Sequence, residues 1–510
     1  MHIRKNVWEL GGDWADPILW YARGVAAMKA HPIAEPTSWR SYGAIHGFVP
    51  KLWEQLGYFK AAEKLPDAAA MKRYWKQCQH GSWYFLPWHR GYLLAFEANI
   101  RAEVVKLGGP SDWALPYWNY FKPHQFQLPP AFASPNWPDG HGNNPLFVPQ
   151  RYGPKNDGNV YVPLDQVNLN AMSDPDFTGV ASGGSPGFGG VDTGFEHGGP
   201  THGGLETQPH DWVHGLVGGS DPKNPKLPGL MSDPDTAGLD PIFYLHHSNI
   251  DRLWQVWREN PPSHVDPTDA QWLKGPASIG ERIFSMPMPG DKPWDYTPAE
   301  MQDPGKLGYK YEDLKPAAAP TTITQRLHKL GASTAAAEAG KGRPAVATGN
   351  KAELVGANQA SLPVQGGDVH TSVKLDAGVR RKVSASLAAA SESAPPDRVF
   401  LNLENVRGLV DSTAFHVYVG LAPGANPADH PELLAGSVAL FGVRKASVRD
   451  EEHAGHGLNF VLEITHIVDA LHLGHALDVD SLDVRLVPVH PVPAEAEVTI
   501  GRVSIYRQGR

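Results

Sequence analysis

The residues that could do chemistry in this chain are histidines. His80 and His89 flank an aromatic-rich stretch, His210 and His214 stand four residues apart, and His246 and His247 are adjacent. Side chains at i and i+4 share a helix face, so the rings of His210 and His214 point the same way. His247, Asp251 and Trp254 recur at i, i+4 and i+7, an imidazole, a carboxylate and a large aromatic on one face. His46, also among aromatics, is a sixth candidate. Three histidines in each half of this region point to two metal sites, each with three imidazole ligands. All-imidazole coordination suits copper, zinc, iron or nickel. The H-x-x-x-H pair differs from the zinc-protease helix, because Asp211 stands where that motif needs Glu. A zinc hydrolase would also bring one open site rather than two. A single buried imidazole more often just hydrogen-bonds a carbonyl, so it is the clustering that carries the reading.

Helices must position these rings. Tyr42, Ile45, His46 and Val49 approximate a helix face up to Pro50, and His89, Leu93, Phe96 and Ile100 form a core-facing stripe on a helix from Trp88 to Leu107. Helix returns at His210 to Leu216 and at His247 to Glu259. Between them, residues 123–205 are rich in Pro and Gly, and 182–190 have no periodicity, which predicts long loops bordering a substrate entrance. From 315 to 396 the composition shifts to Ala, Gly, Lys, Pro and Ser, as in a linker. Beyond 397, short alternating runs such as Phe415-His-Val-Tyr-Val419 predict a compact β-sandwich or barrel. The expected fold class is α + β: a helical domain over 1–314 with a four-helix-bundle core, a flexible connection over 315–396, and a β domain over 397–510.

Composition narrows the partners. A chain of 510 residues exceeds one hydrophobic core. Its net charge of -9 argues against nucleic acid or an anionic membrane surface. No run of eighteen apolar residues spans a bilayer. The start lacks the apolar core of a secretory signal, so a cytoplasmic chain is expected, with export on a carrier protein left open. Cys78 stands alone, which excludes a disulfide framework and cysteine-rich metal sites.

Over about residues 1–312 the chain resembles the tyrosinase and polyphenol oxidase family of coupled binuclear copper proteins. The run from His80 to Glu97, with His80 and His89 as ligands, is similar to the family's first copper motif, and His46 in Tyr42-Gly-Ala-Ile-His-Gly47 to the earlier ligand. Residues 206–215 and 240–254 are similar to the second motif. The resemblance implies two copper ions, one on His46, His80 and His89, the other on His210, His214 and His247, with His246 a neighbour rather than a ligand. Asp251 or nearby carbonyls would accept from the non-ligating ring nitrogens. Cys78, two residues before His80, matches relatives in which a thioether joins these side chains. Glu206 matches a residue that orders a water to take the phenol proton. Relatives often carry Asn just after the first ligand of the second copper, whereas this chain has Asp211, which either shares the proton with Glu206 or caps a local turn. Pro234, where several plant relatives have Phe, and Gly215 leave an open mouth for a phenol ring.

The activity so implied is oxidation of o-diphenols to o-quinones with dioxygen, and ortho-hydroxylation of monophenols such as tyrosine. Diphenol-only and o-aminophenol oxidation are variants of it. A hemocyanin-like oxygen carrier is a different class on the same site. Tyr309-Lys-Tyr311 and Arg4 resemble motifs that close the family's catalytic domain. The β domain is then expected to cover the copper mouth, or else to mediate homo-oligomer contacts, with the loop 450–457 as a candidate covering segment.

Overall fold

The helices that carry the histidines start from local signals. In the computed structural model, which describes residues 1–138, 142–261, 263–315, 352–390, 396–449, 455–474, 476–477 and 479–509, Ser38 caps helix Trp39–His46 (α1) by accepting from the Ser41 N–H at 3.2 Å. His46 is its last residue. The long helix Phe85–Lys106 (α2) carries His89 in its second turn. An irregular turn, Glu206–Asp211, carries His210 and runs into the short helix Trp212–Gly218 (α3), which carries His214. Asp240 caps Pro241–Glu259 (α4), accepting from the Ile242 N–H at 3.0 Å, with Pro241 at the position where a missing N–H does no harm. These four helices surround one aromatic core. Phe96 of α2 stacks on Tyr244 of α4 with centroids 3.5 Å apart, and the Trp39 indole donates to the Leu239 carbonyl. Among the described residues, no helix is long and apolar enough to cross a membrane.

Two short strands fasten this helical unit. His2–Arg4 (β1) lies parallel to Tyr309–Tyr311 (β2). This delivers Arg4 and both tyrosine hydroxyls to Asp251 on α4, at 3.2, 2.7 and 2.5 Å, while Arg90 of α2 reaches the other carboxylate oxygen at 2.5 Å. Asp251 is therefore no partner of His247. Four residues along a helix advance about 6 Å, which puts its carboxylate level with Arg90 and the β1–β2 pair instead.

The second unit begins well before residue 397. Its strands are Ala352–Ala357 (β3), Leu362–Pro363 (β4), Val369–Leu375 (β5), Arg398–Arg407 (β6), Ala414–Val419 (β7), Leu434–Ala439 (β8), Leu458–Glu463 (β9), Ser481–Pro488 (β10) and Thr499–Gln508 (β11). They form one nine-stranded antiparallel sheet in the order β8-β7-β10-β5-β3-β11-β6-β9, with β4 on β11. The expected sandwich or barrel takes the form of a single sheet curled until its edges approach: a Cβ on Gly436 of β8 would meet Leu462 of β9 at 2.9 Å. The boundary at 397 is corrected to Ala352. Ala- and Lys-rich composition disguised three strands and the helix Ala377–Ala389, which Asp376 caps by accepting from two backbone N–H groups. Residues 316–351 of the expected linker lie outside the described residues.

The glycine-rich loop is also not a free rim of the entrance. It is buried and docks the sheet: Gly183 packs on the Tyr506 ring, the Ser185 N–H donates to Gln508 at 3.0 Å, and the Asn402 amide donates to the Gly183 carbonyl. Nearby, Arg398 of β6 reaches Asp174 at 3.0 Å.

Candidate metal centre

The four-helix core brings the six histidines into two facing groups. His46, His80 and His89 gather with Cys78, and His210, His214 and His247 gather with His246; in each group one donor atom per residue lies within 4.8 Å of the others. Across the gap, the rings of His89 and His247 stack with centroids 4.3 Å apart. His80 comes from the loop before α2. There Gly81 (φ +63°) passes so close to Gly199 that a Cβ would meet its carbonyl oxygen at 2.3 Å.

Backbone carbonyls fix three of the six rings through Nδ1. His46 faces the Pro234 carbonyl at 2.6 Å, His89 that of Phe85 at 2.8 Å, and His214 that of Met231 at 2.7 Å. His210 is held instead by Asp211, 2.8 Å away. In each case Nε2 is aimed inward. The Nε2 atom of His247 lies 3.2 Å from that of His210 and 3.3 Å from that of His214, and Nε2 of His46 is buried with no hydrogen-bond partner. Burial holds His46 down to about 4. Burial first, and crowding by other imidazoles second, holds His80, His89, His210, His214 and His247 well below the ordinary histidine value. Neutral rings with converging lone pairs are what a metal needs.

His246 turns away toward the Tyr120 hydroxyl at 3.4 Å, yet its ring stays 5.4 Å from that of His210. Cys78 Sγ lies 3.5 Å from His80 Nε2 and 3.4 Å from His89 Nε2. Glu206 is buried under the site and accepts the Gly81 N–H at 3.0 Å. Asp211 does not cap α3. Its two oxygens bridge His210 and His202, the latter at 2.7 Å.

His202 went unnoticed in the sequence, although its spacing of four residues from Glu206 was there to be seen. It lies 3.7 Å from Glu206 as well as beside Asp211. Burial opposes its charge, but the two carboxylates together push it up to about 9, and burial and Asp211 push Glu206 up to about 8 against the pull of His202.

The β unit packs on both Pro234 and Gly215, the residues expected at the substrate mouth. Ala439 lies against Gly215, Gly442 against Pro234, and between them Phe441 enters the site. Its ring stacks on His214 at 4.3 Å and 24°, and stands 5.5 Å from His80 and 5.8 Å from His210. The covering segment is thus residues 440–442; residues 450–454 of the loop expected there are outside the described residues.

The common central domain of tyrosinase matches residues 36–260, and a domain of unknown function (DUF7868) matches 351–508. A tyrosinase of Hahella sp. (strain CCB-MM4) is 32% identical over 524 residues, covering 100% of each chain. The chain belongs to the tyrosinase family. A chloroplastic polyphenol oxidase of Malus domestica is 26% identical over 92% of this chain and 72% of its own length. Among solved structures, latent apple tyrosinase shares the fold with a TM-score of 0.58 at 22% identity, over 99% of this chain and 97% of that one. Latent aurone synthase gives 0.58 at 19%, over 100% and 90%. The family uses a binuclear copper centre, and the two buried groups of inward-aimed, neutral imidazoles fit it.

Proposed function

We propose that this chain is a phenol oxidase whose two coppers are held by His46, His80 and His89 and by His210, His214 and His247. It uses dioxygen to oxidise o-diphenols to o-quinones, and it ortho-hydroxylates monophenols such as tyrosine. The observation that carries this is the convergence of the Nε2 atoms of His210, His214 and His247 on one buried point, with the Nδ1 atoms of His210 and His214 already held by Asp211 and the Met231 carbonyl. Bound copper supplies dioxygen activation and accepts the electrons that leave the diphenol. The protein's part is to hold the rings, admit the phenol and manage its proton. The flat face of His214, where Phe441 now stacks, is the platform for a phenol ring. Glu206, His202 and Asp211 form a buried proton-holding set beside it, and the His202 charge offsets the extra carboxylate that Asp211 brings. Cys78 forms a thioether with His80, a bond from sulfur to an imidazole carbon made with loss of two hydrogens.

With Phe441 in place the chain is a closed form, and the β unit restrains turnover. Copper analysis with oxygen uptake tests the whole reading: two coppers per chain, and uptake with catechol, tyrosine and dihydroxyphenylalanine that rises when the β unit is displaced. Two coppers with no uptake even after displacement would mark an oxygen carrier. Uptake with the diphenols alone would remove the hydroxylase step. Peptide mass analysis checks the thioether, and a fully alkylatable Cys78 in active protein rules it out.

A further inference from the structure

The β unit does more than place Phe441. Three and four residues beyond it, Arg444 and Lys445 reach into the helical unit. Arg444 Nη2 lies 2.9 Å from Asp233 and 2.9 Å from Asp235, and Lys445 Nζ lies 2.8 Å from the other oxygen of Asp235. Both carboxylates are buried, at 1% and 2% side-chain exposure. Between them stands Pro234, whose carbonyl accepts from His46; Met231, whose carbonyl accepts from His214, is two residues before Asp233. One short segment therefore orients a ring of each group, and its two acidic side chains are gripped from outside by two cations of the β unit. Lys445 also contacts His197 Nε2 at 2.9 Å, and His197 Nδ1 faces the Cys78 carbonyl at 2.9 Å, on the loop that carries His80. On its own side, Arg444 is steadied by Asp411, which accepts its backbone N–H at 3.0 Å.

We propose that Arg444 and Lys445 are positioning residues for the copper centre: by clamping Asp233 and Asp235 they fix the carbonyls that orient His46 and His214, so docking of the β unit strengthens copper retention. This rests on the six histidines being the copper ligands. Partners one step removed from a metal commonly change its affinity by about 10- to 100-fold when lost. Linkage makes the effect mutual, so copper binding tightens β-unit docking by the same factor. Blocking the mouth and holding the metal are then separate tasks, carried by Phe441 and by the cation pair.

The experiment is copper competition at equilibrium with a chromogenic copper chelator on the full-length chain, comparing wild type, Phe441→Gly, Arg444→Met and Arg444→Lys. Phe441→Gly opens the mouth without touching the clamp, so its chelator midpoint should match wild type. Arg444→Met should give up copper at about tenfold lower chelator. Arg444→Lys keeps the charge but not the two-carboxylate reach, and should fall between; it also serves if the Met variant does not fold. A wild type that holds two coppers while both Arg444 variants keep its midpoint overturns the clamp alone. A wild type that binds no copper overturns the ligand reading, and the clamp with it. An equal loss in Phe441→Gly would mean that an open mouth, not the clamp, governs retention.

Discussion

The two units of this molecule are built on opposite principles. The helical unit buries Trp, Tyr and Phe in quantity, together with 23 charged and imidazole side chains among the described residues, Arg4, Arg90, Glu97, Glu206 and Asp251 included. The core cluster of the β unit is almost wholly Val, Leu and Ile, with Phe415 and Phe460 as its aromatics among the described residues; Phe400, Tyr418 and Phe441 are buried outside that cluster. An aliphatic core needs only to be filled. A core holding ionised and metal-binding groups must give each one a partner, because an unpaired buried charge is far more expensive than a lost contact. The difference separates the roles: chemistry is assembled in the unit rich in polar pairings, and the filled sheet serves as a rigid carrier for the few side chains it presses into its neighbour.

This contrast can be broken at several points. His210→Ala should remove one copper and lower diphenol oxidation by at least about a hundredfold, the upper end of what an outer partner costs; a copper count of two with full activity would mean the centre lies elsewhere. Arg4→Met takes one buried cation from both Glu97 and Asp251, leaving them to Arg101 and Arg90, and should cost the helical unit about 3 kcal/mol. Leu401→Ala in the sheet should cost about 2–5 kcal/mol in the β unit. Separate melting transitions read which unit each one touches, and a joint shift of both would undo the separation. Acid sharpens the point. Although burial opposes it, Arg90 and Arg4 hold the Asp251 carboxyl below its usual range. A group lowered in this way contributes stability above its unfolded value and loses it as pH falls. The loss therefore comes below about pH 4, and Arg4→Met moves it upward.

Smaller effects come next. Phe441→Gly should raise kcat/KM for a bulky diphenol by about tenfold or more, as removal of a competing closed state does, with the copper count unchanged in the same samples. Asp211→Asn should lower the tyrosine-to-diphenol activity ratio by about threefold to tenfold, less than the roughly hundredfold of a lone general base because Glu206 remains. His202→Gln should act in the same direction, since both sit in one hydrogen-bonded set; an unchanged ratio in both variants would move the proton work away from it.

The histidines could be read from spacing because helices impose a short repeat on residues that share a face. Which side chain answers another across that face is set by the helix that arrives opposite. Asp251 shares a face with His247 and still belongs to Arg90, Arg4 and two tyrosines. His202 lies in a stretch of Gly and Pro with no period to mark it, and its meaning comes from a fold that returns it to Asp211. Phe441 sits in a sequence that looks like any buried strand end; only the docking of the sheet aims it at the copper mouth. The start of the β unit was hidden because alanine and lysine dilute the alternation of β3 and β5 until it resembles a tether.

The pairing of His2–Arg4 beside Tyr309–Tyr311 has a mechanical consequence. The chain leaves the helical unit just past Tyr311, whose hydroxyl donates to the Ser248 carbonyl at 2.8 Å and to Asp251, a turn beyond His247. A pull on the chain past residue 315, whether from a protease or from the β unit swinging away, meets Arg252 on the Asp313 and Lys315 carbonyls and then this buckle. It acts as strain relief on a cable: the tug ends on two phenols and a guanidinium, and the imidazole one turn further in stays where it is.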